Sequence, residues 1–140
     1  MTETDLIHEI FKNTKTFACV GASMNSARPS YYVSAFLQSH GYRVIPINPG
    51  QAGKAWLGET VYGSFADIPD DIQIDTLDVF RRSDAVEGVV AVAIRDLPNL
   101  KYIWTQLNVI SPRGQELAEQ AGLKMIQNRC PKIEIPKLSA

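Results

Sequence analysis

The chain holds 140 residues, 45% hydrophobic and 21% charged, a balance that excludes disordered and fibrous proteins and supplies a core without any need for disulfides. Fourteen basic against fifteen acidic side chains leave a net charge of -1, which excludes a protein whose affinity comes from wrapping a nucleic-acid backbone. No stretch approaches the ~18 apolar residues of a membrane helix, and the opening MTETDLIHEIFKN lacks the features of a targeting signal, so a single cytoplasmic domain over residues 1–140 is expected.

Leu6, Ile7, Ile10 and Phe11 fall at helical spacing and Asn13 closes the pattern, predicting a short amphipathic helix. TFACVG is a nearly continuous apolar run, as expected of a strand buried on both faces. After the polar loop SMNSARPS, Pro29 suits the first turn of a helix carrying Tyr32, Val33, Phe36 and Leu37 on one face, and Gly41 stops it. YRVIPINP then reads as a second strand broken by Pro46 and Pro49, completing a βαβ unit. A very short strand is expected around Val61 and Tyr62, followed by a helical turn capped by Ser64 with Phe65 and Ile68 pointing inward. IDTLDVF is a stronger strand; SDAVEGVVAVAI is a helix that opens at Ser83 and lies against the sheet. Tyr102 to Trp104 is a strand candidate, Pro112 opens a helix that Gly122 ends, and LKMIQ is the last strand. The tail NRCPKIEIPKLSA, with two prolines, is expected to run over the surface as an irregular arm. Strands alternating with helices of this length predict an α/β fold, a three-layer sandwich around a mostly parallel sheet of five or six strands.

In such a sheet the ligand crevice lies beyond the carboxyl ends of the strands. Those ends carry Gly21, Ala22, Ser23, Asn25, Ser26 and Arg28, then Asn48 and Pro49, then Tyr62 and Ser64, then Arg81 and Arg82. Backbone N–H groups, hydroxyls and guanidinium groups converging there suit a phosphorylated ligand. Two plainer readings stand beside this one: Gly21 serves only a tight strand-to-helix turn, and the two arginines form an edge charge cluster offset by Asp78 and Asp84. GxGxxG and GxxxxGK[ST] are both absent, and no acidic residue follows the second strand to hold a ribose diol, which disfavours ordinary NAD binding and P-loop phosphoryl transfer. Neither His8 nor His40 has a partner at metal or triad spacing. Cys19 reads as a core residue, whereas Cys130 stands between Arg129 and Lys132, which would lower a thiol pKa; inert and functional readings of Cys130 both stay open.

The segments VGAS, RPSYYVSAFLQSHGYRVIPINP, GETVYGSFADIP, IDTLDVFRRS and NRCPKIE, in that order and spacing, resemble the family of small stand-alone CoA-binding proteins, whose domain is similar to the nucleotide-binding domain of the succinyl-CoA synthetase alpha subunit. The resemblance implies a Rossmann-like domain that binds coenzyme A or a short acyl-CoA non-catalytically. It places the phosphates near Gly21, Ala22, Ser23 and Arg28, the adenosine along Asn48 and Pro49, and further contacts near Tyr62, Phe80, Arg81 and Arg82. The chain departs from the family pattern at residues 95–100 and 108–113, loops expected to border the pantetheine arm or a dimer face. Two rival functions are weighed against non-catalytic binding: an acyl-CoA-handling enzyme with Cys130 as nucleophile, and a ligand-free structural homodimer.

Overall fold

The computed structural model describes residues 1–138. Five strands, β1 (Thr16–Val20), β2 (Arg43–Ile47), β5 (Thr76–Val79), β6 (Tyr102–Thr105) and β7 (Lys124–Ile126), form one parallel sheet in the order β2-β1-β5-β6-β7. A separate antiparallel hairpin pairs β3 (Ala55–Trp56) with β4 (Glu59–Thr60). Helices α1 (Glu3–Asn13), α2 (Pro29–Ser39) and α5 (Pro131–Leu138) cover one face of the sheet, and α3 (Ser83–Asp96) and α4 (Pro112–Gln120) cover the other. This is the expected three-layer, Rossmann-like sandwich. Among the described residues no helix is long and apolar enough to cross a membrane.

The faces follow from side-chain alternation along each strand. Ala18, Val20, Leu77, Val79 and Ile103 point toward Val86, Val90 and Ala93 of α3. Phe17, Cys19, Tyr102 and Trp104 point to the opposite layer, where they meet Ile10 and Phe11 of α1 and Leu37 of α2. At its start α1 is closed by a reciprocal capping box between Thr2 and Asp5. Ser111 caps α4 by accepting from the N–H of Gly114 at 3.0 Å.

Four elements differ from expectation. Pro46 does not break β2: the strand runs through it, paired to β1 on one side only, and an edge strand tolerates a residue without an N–H. Val61 and Tyr62 form no strand; the hairpin precedes them, and Tyr62 makes a single parallel bridge to Ile47. Ser64 opens a 3-10 turn over Phe65–Asp67, but its hydroxyl donates to Asp67 Oδ2 at 3.0 Å and caps no backbone N–H. The tail is helical from Pro131 onward, because a proline in the first turn wastes no hydrogen bond; residues 139–140 of that expected arm lie outside the described residues.

Candidate functional site

The strand order reverses between β1 and β5: the chain leaves β1 for β2 on one side and later returns to β5 on the other. The carboxyl ends of these two strands therefore diverge into a crevice. Gly21 and Phe80 sit at its floor. Gly21 has φ +87°, a left-handed conformation open to glycine. Two cavities meet over it, sharing Gly21, Ser23 and Arg81 in their walls.

The first lobe, about 800 Å³, lies between the loops after β1 and β2 and the outer face of α3. Ala22, Asn48, Pro49 and Gln51 form one wall; Gly88, Val89 and Val92 of α3 form the other. Among the described residues no carboxylate lines it. The apolar stripe that α3 keeps after burying Val86, Val90 and Ala93 is thus a lobe wall. Gln51 Oε1 is enclosed without a hydrogen-bond partner, so an acceptor stands unspent at this wall.

The hydrogen bonding of the first loop differs from a cradle of free N–H groups. Both the Gly21 and Ala22 N–H groups turn back to the carbonyl of Ile47, at 3.2 and 3.3 Å. Asn48 donates from Nδ2 to the Ala22 carbonyl at 2.8 Å and accepts from the Gly50 N–H at 2.9 Å, so its side chain clamps two loops and has little left for an adenosine. Trp56, on the hairpin, donates its indole N–H to the Ser23 carbonyl at 2.8 Å. Ser30 accepts from the Ser23 N–H at 2.9 Å. The loop is held rigidly from three sides, which is preorganisation of the kind a ligand site needs. Ser26 is exposed on this loop and Tyr62 packs against the core below; both were expected as contacts, and neither lines a lobe.

The second lobe, about 650 Å³, opens on the α2 and α5 side of the sheet. Arg28, Phe80, Arg81, Arg82, Gln106 and Cys130 are among its lining residues. Arg28 and Arg81 have no ion-pair partner among the described residues, so their charges are available to an anion. Arg82 instead pairs with Asp84 at 2.9 Å with its side chain 86% exposed. The expected offsetting role of Asp78 does not hold, since Asp78 is completely buried in the middle of the sheet between Cys19 and Trp104. Burial raises its carboxyl to about 7, opposed by the hydrogen bond that Gln106 Nε2 donates to Oδ1 at 2.5 Å. Asp78 Oδ2 has no hydrogen-bond partner among the described residues.

Cys130 is only 8% exposed, and desolvation pushes its thiol up, against the lowering expected from its basic neighbours. Those neighbours are engaged elsewhere: Arg129 pairs with Glu3, and Lys132 sits 5.1 Å from the centre of the Tyr32 ring. Of the two departing loops, Asn108 and Val109 border the second lobe, and Asn108 takes φ +67°, which asparagine tolerates. Residues 97–100 precede β6 at the opposite end of the sheet and border neither lobe.

The structure gathers the expected Gly21, Ala22, Ser23, Arg28, Asn48, Pro49, Phe80, Arg81 and Arg82 around one crevice. Sequence reasoning did not name as site candidates Gln51, Gly88, Val89, Val92 and Gln106, which also line it, or Trp56 and Asp78, which hold Ser23 and Gln106 by hydrogen bonds. Gly88 offered the one readable signal, a glycine in the middle of a helical pattern, which costs stability and often marks close approach.

The fold and the two-lobed crevice at the switch point define a Rossmann-like domain with a cleft where such folds place ligands. The family of the CoA binding domain matches residues 15–136, and the chain belongs to that family. It is 33% identical over 128 residues to the uncharacterized protein YneT of Bacillus subtilis (strain 168), covering 91% of this chain and 90% of that one. Among solved structures, a hypothetical protein from Pyrococcus horikoshii OT3 is similar at a TM-score of 0.87 and 33% identity, over 99% of this chain and 94% of the other. The structure of cell-free ID.343 from Thermus thermophilus is similar at a TM-score of 0.88 and 28% identity, over 98% and 99%.

Proposed function

We propose that this protein binds coenzyme A or a short acyl-CoA without transforming it, acting as a carrier, sensor or regulator. The nucleotide half occupies the first lobe, the phosphates lie over Gly21, and the pantetheine arm leads into the second lobe. The observation that carries this reading is the shared wall: Arg81, an unpaired cation, stands where the two lobes join, so one long ligand with its charge in the middle would satisfy both. Arg28 adds a second cation at the rim of the second lobe. The membership of the chain in the CoA binding domain family supports the same ligand. The raised Cys130 thiol, with no general base beside it among the lining residues, favours binding over nucleophilic catalysis.

Native mass spectrometry of freshly purified protein tests the ligand class, the expected result being a retained adduct of CoA or acyl-CoA mass. Calorimetry then compares CoA with NAD. CoA is expected to bind more tightly, because the first lobe offers a free ribose diol no carboxylate. Stronger binding of NAD overturns the reading.

A further inference from the structure

The buried Asp78 has a use that packing does not supply. It stands on the central strand β5 with one oxygen bonded to Gln106 and the other without a partner, a costly arrangement for a carboxyl enclosed between β1 and β6. Gln106 lines the second lobe. An ionised carboxylate can only accept hydrogen bonds, so it fixes the Gln106 amide with its nitrogen turned inward and its oxygen on the branch that remains for the lobe. A neutral carboxyl can also donate. It then bonds Gln106 Oε1, and the amide turns its nitrogen outward.

We infer that Gln106, oriented by Asp78, reads the free end of the ligand in the second lobe, favouring a hydrogen-donating thiol while Asp78 is charged and an acyl carbonyl once that charge is lost. The inference rests on the proposal that the pantetheine arm enters this lobe. Gln106 would touch the ligand; Asp78 is a positioning residue. The carboxyl titrates at about 7, so both orientations fall within a physiological range. Of the other ionisable groups near it, Cys19 on β1 and Cys130 ahead of α5 are both pushed up by burial, and the basic side chains of Arg28, Arg81, Arg82 and Lys132 lie around the lobe. Serines, not charged groups, face this side from α2, at Ser30 and Ser34.

Calorimetry of the whole protein with CoA, acetyl-CoA and desulfo-CoA, at pH about 6 and about 8 on either side of the Asp78 titration, tests this. The 3′-phosphate titrates equally in all three ligands, so it cancels from their ratios. The CoA to acetyl-CoA affinity ratio is expected to invert, from about fivefold in favour of CoA at the higher pH to about fivefold in favour of acetyl-CoA at the lower, each the worth of one net hydrogen bond. Desulfo-CoA, which has neither donor nor carbonyl, is expected to bind with the weaker of the two at each pH. Asp78→Asn keeps the shape of the side chain and cannot titrate, so its ratio should not move with pH; Gln106→Leu should behave likewise. A wild-type ratio that is constant across the range, or an Asp78→Asn ratio that still moves, overturns the inference while leaving CoA binding intact. Absence of binding by any of the three ligands overturns the proposed function, and this inference with it.

Discussion

A β-carbon at position 21 would lie 2.6 Å from the carbonyl oxygen of Phe80, closer than real contacts allow, and the obstacle is backbone that cannot rotate away. Two costs therefore add in Gly21→Val. The left-handed φ costs a side-chain-bearing residue about 1–2 kcal/mol, and overpacking adds about 1–3 kcal/mol. Urea denaturation should show a loss within the sum of those ranges, and CoA affinity should fall with it because the crevice floor is displaced. Full affinity in a well-folded Gly21→Val would mean that the ligand does not rest on this floor.

The two adjacent arginines should separate. Arg81 has no ion-pair partner among the described residues and lines both lobes, so Arg81→Ala should weaken CoA binding by about 1.5–3 kcal/mol, the value of one charge-assisted hydrogen bond. Arg82 is spent on Asp84 at the surface, and Arg82→Ala should change affinity by less than about 1 kcal/mol. Calorimetry across a salt series provides the check: the salt dependence should shrink in Arg81→Ala and persist in Arg82→Ala.

Gly88 tests the first lobe without touching a polar group. A β-carbon there meets nothing within 4 Å, and the residue lines the first lobe. Gly88→Ala should raise stability by about 0.5–1 kcal/mol through helix propensity. Gly88→Leu should fold as well as the parent yet lose CoA binding, because its side chain fills the lobe. Thermal melts and calorimetry together decide; a leucine variant that binds normally would place the nucleotide elsewhere.

Asp78 makes stability depend on pH with a definite sign. Its folded carboxyl, at about 7, lies above the ordinary 3.8 of an unfolded aspartate, so between those values the folded state holds the extra proton. Stability is highest below about pH 4 for this group, falls as pH rises toward 7, and stays reduced above it, by on the order of 4 kcal/mol for a separation of this size. Asp78→Asn removes that slope. Denaturant titrations should find the variant more stable than wild type at pH 8, with the difference vanishing near pH 4; an equal slope in both proteins would place the titration on another group.

What could be read in advance follows the range of the forces involved. TFACV, the helix from Pro29 and the helix from Ser83 are announced by local signals, an unbroken apolar run or a proline or serine at the first turn, and each formed as expected. Pro46 was misjudged because its tolerance depends on β2 being an edge, and strand order is not written in any one segment. The tail was misjudged because Pro131 and Pro136 suggested irregularity, whereas one opens α5 and the other falls near its end. Asp78 gave no local sign of its burial, which comes from Cys19 and Trp104 arriving on either side from distant strands. Arg81 and Arg82 look alike in sequence; only the position of Asp84 tells them apart.

Pro46 has one more consequence, for the behaviour of the protein under stress. The outer margin of β2 offers no N–H at Pro46, the Pro46 carbonyl is taken by the Tyr62 N–H at 3.0 Å, and the Asn48 N–H is taken by the Tyr62 carbonyl at 2.9 Å. Farther back, Arg43 is clasped by both oxygens of Glu59. At the opposite margin β7 is three residues long and begins with Lys124, tied to Glu9. Both borders are thus blunted against pairing with a strand from another molecule. Clouding of a concentrated stock should then follow the unfolded fraction.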